Sequence, residues 1–194
     1  DPNIQSASEA AAQCVGVLPT NSHDGIALEP VRAAIHEYWV TNTQVNFCAK
    51  AYPTVPSGHP DAPALSVLAA FLRNGFLHRT IREQGGAYGG GASHDPNIAA
   101  FRFFSYRDPR LVETLDDFDA SIIWLLETQH EQLALEEAIL SVMASLDKPG
   151  SPAGEAKRDF HERLFARTAD CFAGDFPVSV DSAFPQSLYL FFPG

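Results

Sequence analysis

The chain has 194 residues, which suits one domain, or one domain with an N-terminal connector. Its hydrophobic fraction of 45%, with 14 phenylalanines, is enough for a packed core and argues against disorder. A formal net charge of −11 argues against nucleic acid as a partner, because phosphate contacts need clustered lysines and arginines, but it is compatible with a basic peptide. No apolar run reaches the length of a membrane span, so we expect no membrane partner.

The three cysteines, Cys14, Cys48 and Cys171, are odd in number and lie far apart. This spacing fits neither a disulfide framework nor a zinc site. Neither Cys48 nor Cys171 has an adjacent histidine or cation that would activate it as a nucleophile. We therefore expect reduced, mostly buried thiols, which are typical of a cytoplasmic or organelle-matrix-like reducing compartment.

The N-terminal part of the chain has the composition of a connector. The sequence opens on Asp and not on Met, so we expect a piece of a longer polypeptide. Residues 1–30 are rich in Ala, Ser and Asn and predict a connector with one short helix near residues 8–14, and residues 31–194 are the predicted domain. Residues 28–40 fit either a helix or an irregular lead-in.

Residues 45–52 alternate and predict a strand with one buried side. Val45, Phe47, Ala49 and Ala51 share one side of this strand, and Asn46, Cys48 and Lys50 share the other.

Residues 53–63 predict a loop, because prolines and glycines are frequent in them. Pro63 suits the first turn of a helix, and the apolar residues that follow recur at helical spacing on several faces. We expect this helix to be buried on several sides, to run to about Arg82 and to stop at Gly85 and Gly86.

Two further strands, residues 87–93 and 98–106, are separated by turn residues and predict a hairpin. Asp108 followed by Pro109 predicts a helix start with a capping carboxylate. Together the elements predict an α+β fold, a largely antiparallel sheet with helices packed on one face. The remaining predicted elements are helices within residues 111–125, 135–146 and 152–171 and a final strand at residues 186–192.

The histidines and glutamates do not form a zinc-peptidase motif. Such motifs place two histidines four residues apart on a helix, around a glutamate, or read H-x-x-E-H. Three His-Glu dipeptides occur, but Val40, Ala134 and Phe165 stand where the second histidine belongs, and no Glu-His dipeptide is present. The sequence therefore predicts no metal site in this chain.

The glycine-rich run at residues 85–91 fits two other kinds of site poorly. A phosphate loop needs a strand before the glycines and a helix after them, and here that order is reversed. Residues 91–95 begin like a nucleophile elbow, but Asp95 replaces its second glycine. The first two glycines fit a helix cap, whereas those at 89–91 lie in a strand and favour close approach by a backbone or ligand.

Arg82 and Tyr88 flank the double glycine, six residues apart. Each has an ordinary structural explanation, because a cation is favoured at a helix C-terminus and tyrosine is common in strands. As a pair across the turn they can converge on one pocket. There the arginine would donate to a substrate carbonyl, and the tyrosine hydroxyl to a developing oxyanion.

The run R-E-Q-G-G-A-Y-G at residues 82–89, followed by S-Y-R-D-P at residues 105–109, resembles the pitrilysin/insulinase superfamily of inverzincin metallopeptidases. Within that superfamily the two runs are most similar to the presequence-protease branch, over residues 45–176. The resemblance implies one of four homologous α+β domains of the LuxS/insulinase-like type, which form two halves closing over a chamber. Residues 31–194 would be the C-terminal domain, which does not bind zinc.

The resemblance also implies site residues and partners. In the superfamily the first domain holds zinc through H-x-x-E-H, and the last supplies an arginine and a tyrosine that contact substrate at the metal. These fall on Arg82 and Tyr88, with Gly86 and Gly89 as further substrate-binding positions and Tyr88 as the catalytic one. The implied activity is a zinc metalloendopeptidase for unfolded peptides, in which the N-terminal half of the same polypeptide is this domain's partner.

Because the zinc ligands have no counterpart here, we expect no activity from this chain alone. The alternative is a non-catalytic homologue that acts as a scaffold or peptide-binding subunit. An H-x-x-E-H motif in the parent polypeptide would favour the peptidase.

Overall fold

A computed structural model describes residues 2–15, 33–146, 148 and 150–164. Asp1–Glu37 form a unit of their own, which contains helix α1, Pro2–Val15. This helix is longer than the one predicted near residues 8–14. Cys14 on α1 is exposed, so the prediction of mostly buried thiols is wrong for this residue. Residues 33–40 have no regular structure, which agrees with the irregular interpretation of that stretch.

The described residues of the second unit are built on a three-stranded antiparallel sheet of order β1-β3-β2. Strand β1 is Asn46–Pro53, β2 is Gly89–Asp95 and β3 is Ala100–Asp108. β2 and β3 form the predicted hairpin, displaced by about two residues along the chain from the predicted bounds. Helices pack on the inward face of this sheet, and the predicted α+β fold is confirmed.

The apolar alternation of β1 suggested that the side with Phe47 is buried, but the opposite side faces the core. The inward side carries Cys48, Lys50 and Tyr52, whereas Phe47 lies on the outward side and is 67% exposed. Lys50 is accommodated because its ammonium pairs with Asp119 and lies 5.6 Å from the centroid of the Tyr52 ring. The apolar side of this strand is therefore exposed among the described residues.

Helix α2, Ala62–Leu72, runs into a π-helical segment, Arg73–Gln84. Nine of the eleven residues of α2 are buried, which confirms the predicted burial on several sides. The π-helical segment contributes Leu77 and Ile81 to the core and ends at Gly85, where the sequence predicted the helix to end. Its π-helical hydrogen bonding was not predicted.

Three further helices complete the described chain: α3, Val112–Glu127, α4, Gln132–Leu146, and α5, Pro152–Leu164. Phe118 of α3 stacks on Phe103 of the sheet, with ring centroids 5.6 Å apart. Leu135 and Ala138 are buried on α4, which packs against α2. No helix of the described residues is long and apolar enough to cross a membrane. The C-terminal part of the helix predicted at 152–171, the strand predicted at 186–192 and Cys171 lie outside the described residues.

The predicted helix start at Asp108 is wrong. α3 begins at Val112, and no side chain caps its N-terminus. Asp108 instead ends β3 as a fully buried residue, whose Oδ1 accepts from the Arg110 N–H (2.9 Å) and Oδ2 from the Thr114 hydroxyl (2.8 Å). The carboxylate therefore stabilises the corner between β3 and α3, because one oxygen holds the Arg110 N–H before the helix and the other holds the Thr114 hydroxyl in its first turn.

Candidate functional site

The double-glycine turn joins the π-helical segment to β2. The Gly85 N–H donates to the Thr80 carbonyl (2.9 Å), and the Gly86 N–H donates to the Arg82 carbonyl (3.1 Å). Gly86 has a φ of +80°, a conformation that other residues adopt only with strain. These bonds confirm the predicted glycine cap, and they give Gly86 a role in the turn that needs no substrate.

Gly85 is required for a different reason, because a side-chain carbon there would overlap the guanidinium of Arg110. Nη2 of Arg110 donates to the Thr80 carbonyl (3.4 Å) and to Oδ2 of Asp117 (2.9 Å). The Arg110 and Asp117 side chains are only 26% and 18% exposed. The end of the π-helical segment is thus held by an ion pair from the corner between β3 and α3.

Tyr88 follows this turn and is 65% exposed. Its backbone N–H donates to the Arg107 carbonyl (3.3 Å). Its ring lies beside the ring of Tyr106, with centroids 5.7 Å apart, and the Arg107 guanidinium carbon lies 5.5 Å from its centroid. An aromatic neighbour and a cation–π contact therefore support the Tyr88 ring while leaving much of it open to solvent.

The position of Arg107 follows from an irregularity in the sheet. Asn46 pairs with Asp108 and Phe47 with Tyr106, so that Arg107 is an extra residue opposite β1. Arg107 also has a φ of +50°, which is uncommon for a residue with a side chain. A bulge of this kind redirects a side chain, and such strain is concentrated at functional sites. Here the redirected side chain is the one that contacts Tyr88.

Arg82 lies in the last turn of the π-helical segment and is exposed. Its Nη1 lies 3.3 Å from Nε2 of His78, one turn earlier on the helix. Within the described chain no hydrogen bond joins Arg82 to Tyr88. The structure places both side chains on the surface at one turn, and their convergence on a substrate stays a prediction.

Sequence reasoning did not single out Tyr106 and Arg107 as site residues. Their only signal was the S-Y-R-D-P run, because their contacts with Tyr88 depend on strand register and on the bulge. We call the four side chains around this turn the tyrosine–arginine cluster; they are Arg82, Tyr88, Tyr106 and Arg107.

The glycines of β2 allow close approach, as predicted, and the approaching groups belong to this chain. Gly89 pairs with Tyr106 across the hairpin, and a side-chain carbon at Gly89 would overlap the Tyr106 ring and hydroxyl. A side-chain carbon at Gly91 would lie 2.8 Å from Cγ of Arg73. Gly89 therefore makes room for Tyr106 in the cluster, and its predicted contact with substrate stays a prediction.

The described residues do not group metal ligands at this surface. No group of three or more His, Cys, Asp or Glu side chains that could hold a metal ion occurs in the described ranges of the chain. Cys48 is buried, and burial raises the pKa of its thiol, which disfavours the thiolate that would bind a metal or act as a nucleophile.

An antiparallel sheet with helices on one face, and a helix, double glycine and strand beside it, has the architecture expected of an insulinase-type α+β domain. Residues 36–170 match a family model described as the PreP C-terminal domain. The chain belongs to this family, and the resemblance to the presequence-protease branch is confirmed.

Curated relatives carry the name "Presequence protease, mitochondrial". The protein from Drosophila melanogaster is 44% identical over 118 residues, which cover 60% of this chain and 11% of the relative. The Mus musculus protein is 36% identical over 145 residues, covering 69% of this chain and 14% of the relative. The Kluyveromyces lactis protein is 42% identical over 119 residues, which cover 61% of this chain and 12% of the relative. The chain therefore spans only a small part of the length of these relatives.

Proposed function

We propose that this chain is the C-terminal substrate-binding domain of a zinc metalloendopeptidase that cleaves unfolded peptides. The observation that supports this most directly is the exposed Tyr88 ring, set between Tyr106 and Arg107 on a fixed glycine turn beside Arg82. The family membership and the presequence-protease names of the relatives support the same activity.

The chemistry of the tyrosine–arginine cluster suits a peptide backbone. Guanidinium groups only donate hydrogen bonds, and a tyrosine hydroxyl donates readily to a carbonyl oxygen. No carboxylate of the described residues pairs with Arg82 or Arg107 within ion-pair distance. One Arg82 nitrogen contacts His78, and the remaining donors of the two guanidinium groups can bind the carbonyl of an extended peptide. Tyr88 can donate to the oxyanion that develops when that carbonyl is attacked.

The zinc ion of this proposal lies outside the described part of the chain. The described residues offer no set of ligands that fits zinc, so the ion would be held by another domain of the longer polypeptide, in its N-terminal half. This chain then binds and orients the peptide. The relatives carry the word mitochondrial in their names, which supports an organelle rather than the cytoplasm as the compartment.

Replacing Tyr88 by Phe in the longer polypeptide tests this role, because the change removes one hydroxyl and little volume. Loss of a single oxyanion donor lowers kcat by about 10²–10³-fold, and we expect a loss of this order with KM largely kept. Tyr38→Phe is the control, since Tyr38 is also exposed and lies outside the cluster. Unchanged kcat in Tyr88→Phe would refute the role of its hydroxyl.

A second measurement tests the function as a whole. Peptide hydrolysis is followed with zinc present for this chain alone, for the N-terminal half of the parent polypeptide alone and for their mixture. Activity only in the mixture is expected. An associating pair with no activity would favour the non-catalytic homologue.

A further inference from the structure

A concave site lies on the described chain, separate from the residues of the tyrosine–arginine cluster. It is a cavity of about 440 Å³ between α2, the β2–β3 hairpin and the last turns of α4. This volume lies within the range of sites for small ligands, about 300–1,000 Å³. None of the four cluster residues lines it.

The lining of this cavity is unusual for so acidic a chain. The chain has 24 acidic and 13 basic side chains, yet no Asp or Glu of the described residues lines the cavity. Its polar side combines Arg73, His94 and several serines, including Ser66. Alanines, Pro63, Val142 and Leu146 supply its apolar side. This lining fits a ligand with one anionic end and a short apolar body.

Arg73 is the cation of this site, and the sheet positions it. Its stem crosses β2 at Gly91, where a side-chain carbon would lie 2.8 Å from Cγ and 2.9 Å from Cδ of Arg73. No carboxylate of the described residues pairs with Arg73. A guanidinium whose stem is packed and whose head has no carboxylate partner is suited to bind an anion in bidentate fashion.

His94 and Ser66 complete the polar side. Both ring nitrogens of His94 have protein neighbours: Nε2 lies 3.3 Å from the Val55 carbonyl, and Nδ1 lies near Ser66. The Ser66 hydroxyl lies 3.5 Å from this Nδ1 and donates to the Ala62 carbonyl (3.1 Å). Because protein groups already contact the Ser66 oxygen and both ring nitrogens of His94, we assign recognition of the ligand's charge to Arg73.

We propose that this cavity binds a carboxylate attached to a short apolar side chain, as found at the C-terminal residue of a peptide and in a free N-acylated amino acid. Arg73 holds the carboxylate, and the alanine-lined side takes the apolar group. This proposal does not depend on the activity proposed above, because the two sites share no residue.

The test measures binding by the full 194-residue chain, using calorimetric titration at millimolar probe concentrations. The probes are N-acetyl-L-valine, its neutral amide, and a glycine-rich peptide ending in valine with either a free or an amidated C-terminus. We expect the free acids to bind and the amides to bind at least about tenfold more weakly, because a charged hydrogen bond is lost. Binding of the peptide acid but not of N-acetyl-L-valine identifies a peptide terminus as the ligand, and the reverse identifies the small acid.

Variants assign the binding to this cavity. Arg73→Met keeps much of the stem that packs on Gly91, and we expect it to weaken binding of the acids about tenfold or more. Arg79→Met is the matched control, because Arg79 is exposed on the same helical segment and does not line the cavity. Ser145→Leu narrows the cavity from its exposed rim without removing a charge, and it should also weaken binding. Equal binding of acids and amides, no binding of either acid, or equal effects of Arg73→Met and Arg79→Met in folded protein would overturn the proposal.

Discussion

Replacing Gly85 or Gly86 by alanine is expected to destabilise the chain for two different reasons. At Gly86 the new side-chain carbon would meet only Cγ of Pro109 at 3.6 Å, so there is no crowding. The cost comes from the φ of +80°, and a left-handed conformation costs a residue with a side chain about 1–2 kcal/mol.

At Gly85 the backbone is helical, with φ −79° and ψ −21°, so alanine itself would be favoured by about 0.5–1 kcal/mol. Its side-chain carbon, however, takes the place of the Arg110 guanidinium, which must then leave Asp117 and the Thr80 carbonyl. The loss of a charged hydrogen bond in this mostly buried pair costs about 1.5–3 kcal/mol. The net cost of Gly85→Ala is therefore about 0.5–2.5 kcal/mol, a range that includes the cost of Gly86→Ala.

A double-mutant cycle with Arg110→Ala separates the two causes. Once the guanidinium is gone, Gly85→Ala should become neutral or stabilising by up to about 1 kcal/mol, while Gly86→Ala should keep its full cost. Urea denaturation of this chain, followed by far-UV circular dichroism, gives the free energy of unfolding for each variant. If Gly85→Ala costs as much in the Arg110→Ala background as in the chain that keeps Arg110, the proposed overlap with the guanidinium is wrong.

Two further predictions concern buried titratable groups. Burial lowers the pKa of His94 below its ordinary value of 6.5, so the unfolded chain binds a proton more readily and stability should fall as the pH drops below that value. His94→Gln should flatten this loss between about pH 7 and pH 5, and an unchanged pH profile of unfolding would contradict it. Burial also raises the pKa of Cys48, whereas Cys14 is exposed, so iodoacetamide should label Cys14 in the native chain and Cys48 only after unfolding. Mass spectrometry of the labelled peptides checks this, and equal native labelling would refute it.

The sequence predicted those elements whose signal is local. α2 and the β2–β3 hairpin follow from apolar periodicity and turn residues, both of which can be read within a dozen neighbouring residues. The alternation in β1 likewise defined two sides of a strand. It could not show which side faces the core, because that depends on what the neighbouring strand and α3 present to Lys50 and Tyr52.

The helix start predicted at Asp108 is wrong for the same reason, because the outcome depends on which groups surround the side chain. A carboxylate before a proline can cap a helix or bond to other groups nearby, and the sequence alone does not decide between them. Here Arg110 and Thr114 are its partners, and complete burial of Asp108 makes both bonds valuable. The π-helical segment was missed because its hydrogen-bond pattern has no signature in the spacing of apolar residues.

The sequence predicted only part of the candidate site, because only some of its residues are neighbours along the chain. Arg82, Tyr88 and the two glycines between them lie within seven residues, so their turn could be recognised from the sequence. Tyr106 and Arg107 reach Tyr88 only through the hairpin register and the bulge at Arg107. A bulge moves one residue out of the alternating pattern, and its position depends on the partner strand.

These contacts give a physical reason for the two sequence runs to occur together. The run at residues 82–89 supplies Arg82, Tyr88 and the turn between them. Gly85 and Gly86 do not by themselves fix where Tyr88 lies relative to the sheet. The run at residues 105–109 does so through the Tyr106 ring, the Arg107 carbonyl and the Arg107 guanidinium. Asp108 then holds the backbone N–H of Arg110, whose side chain closes on Gly85. Arg107 and Arg110 both lie at the corner between β3 and α3. The bulge at Arg107 and the ion pair of Arg110 therefore set the position of Tyr88 together.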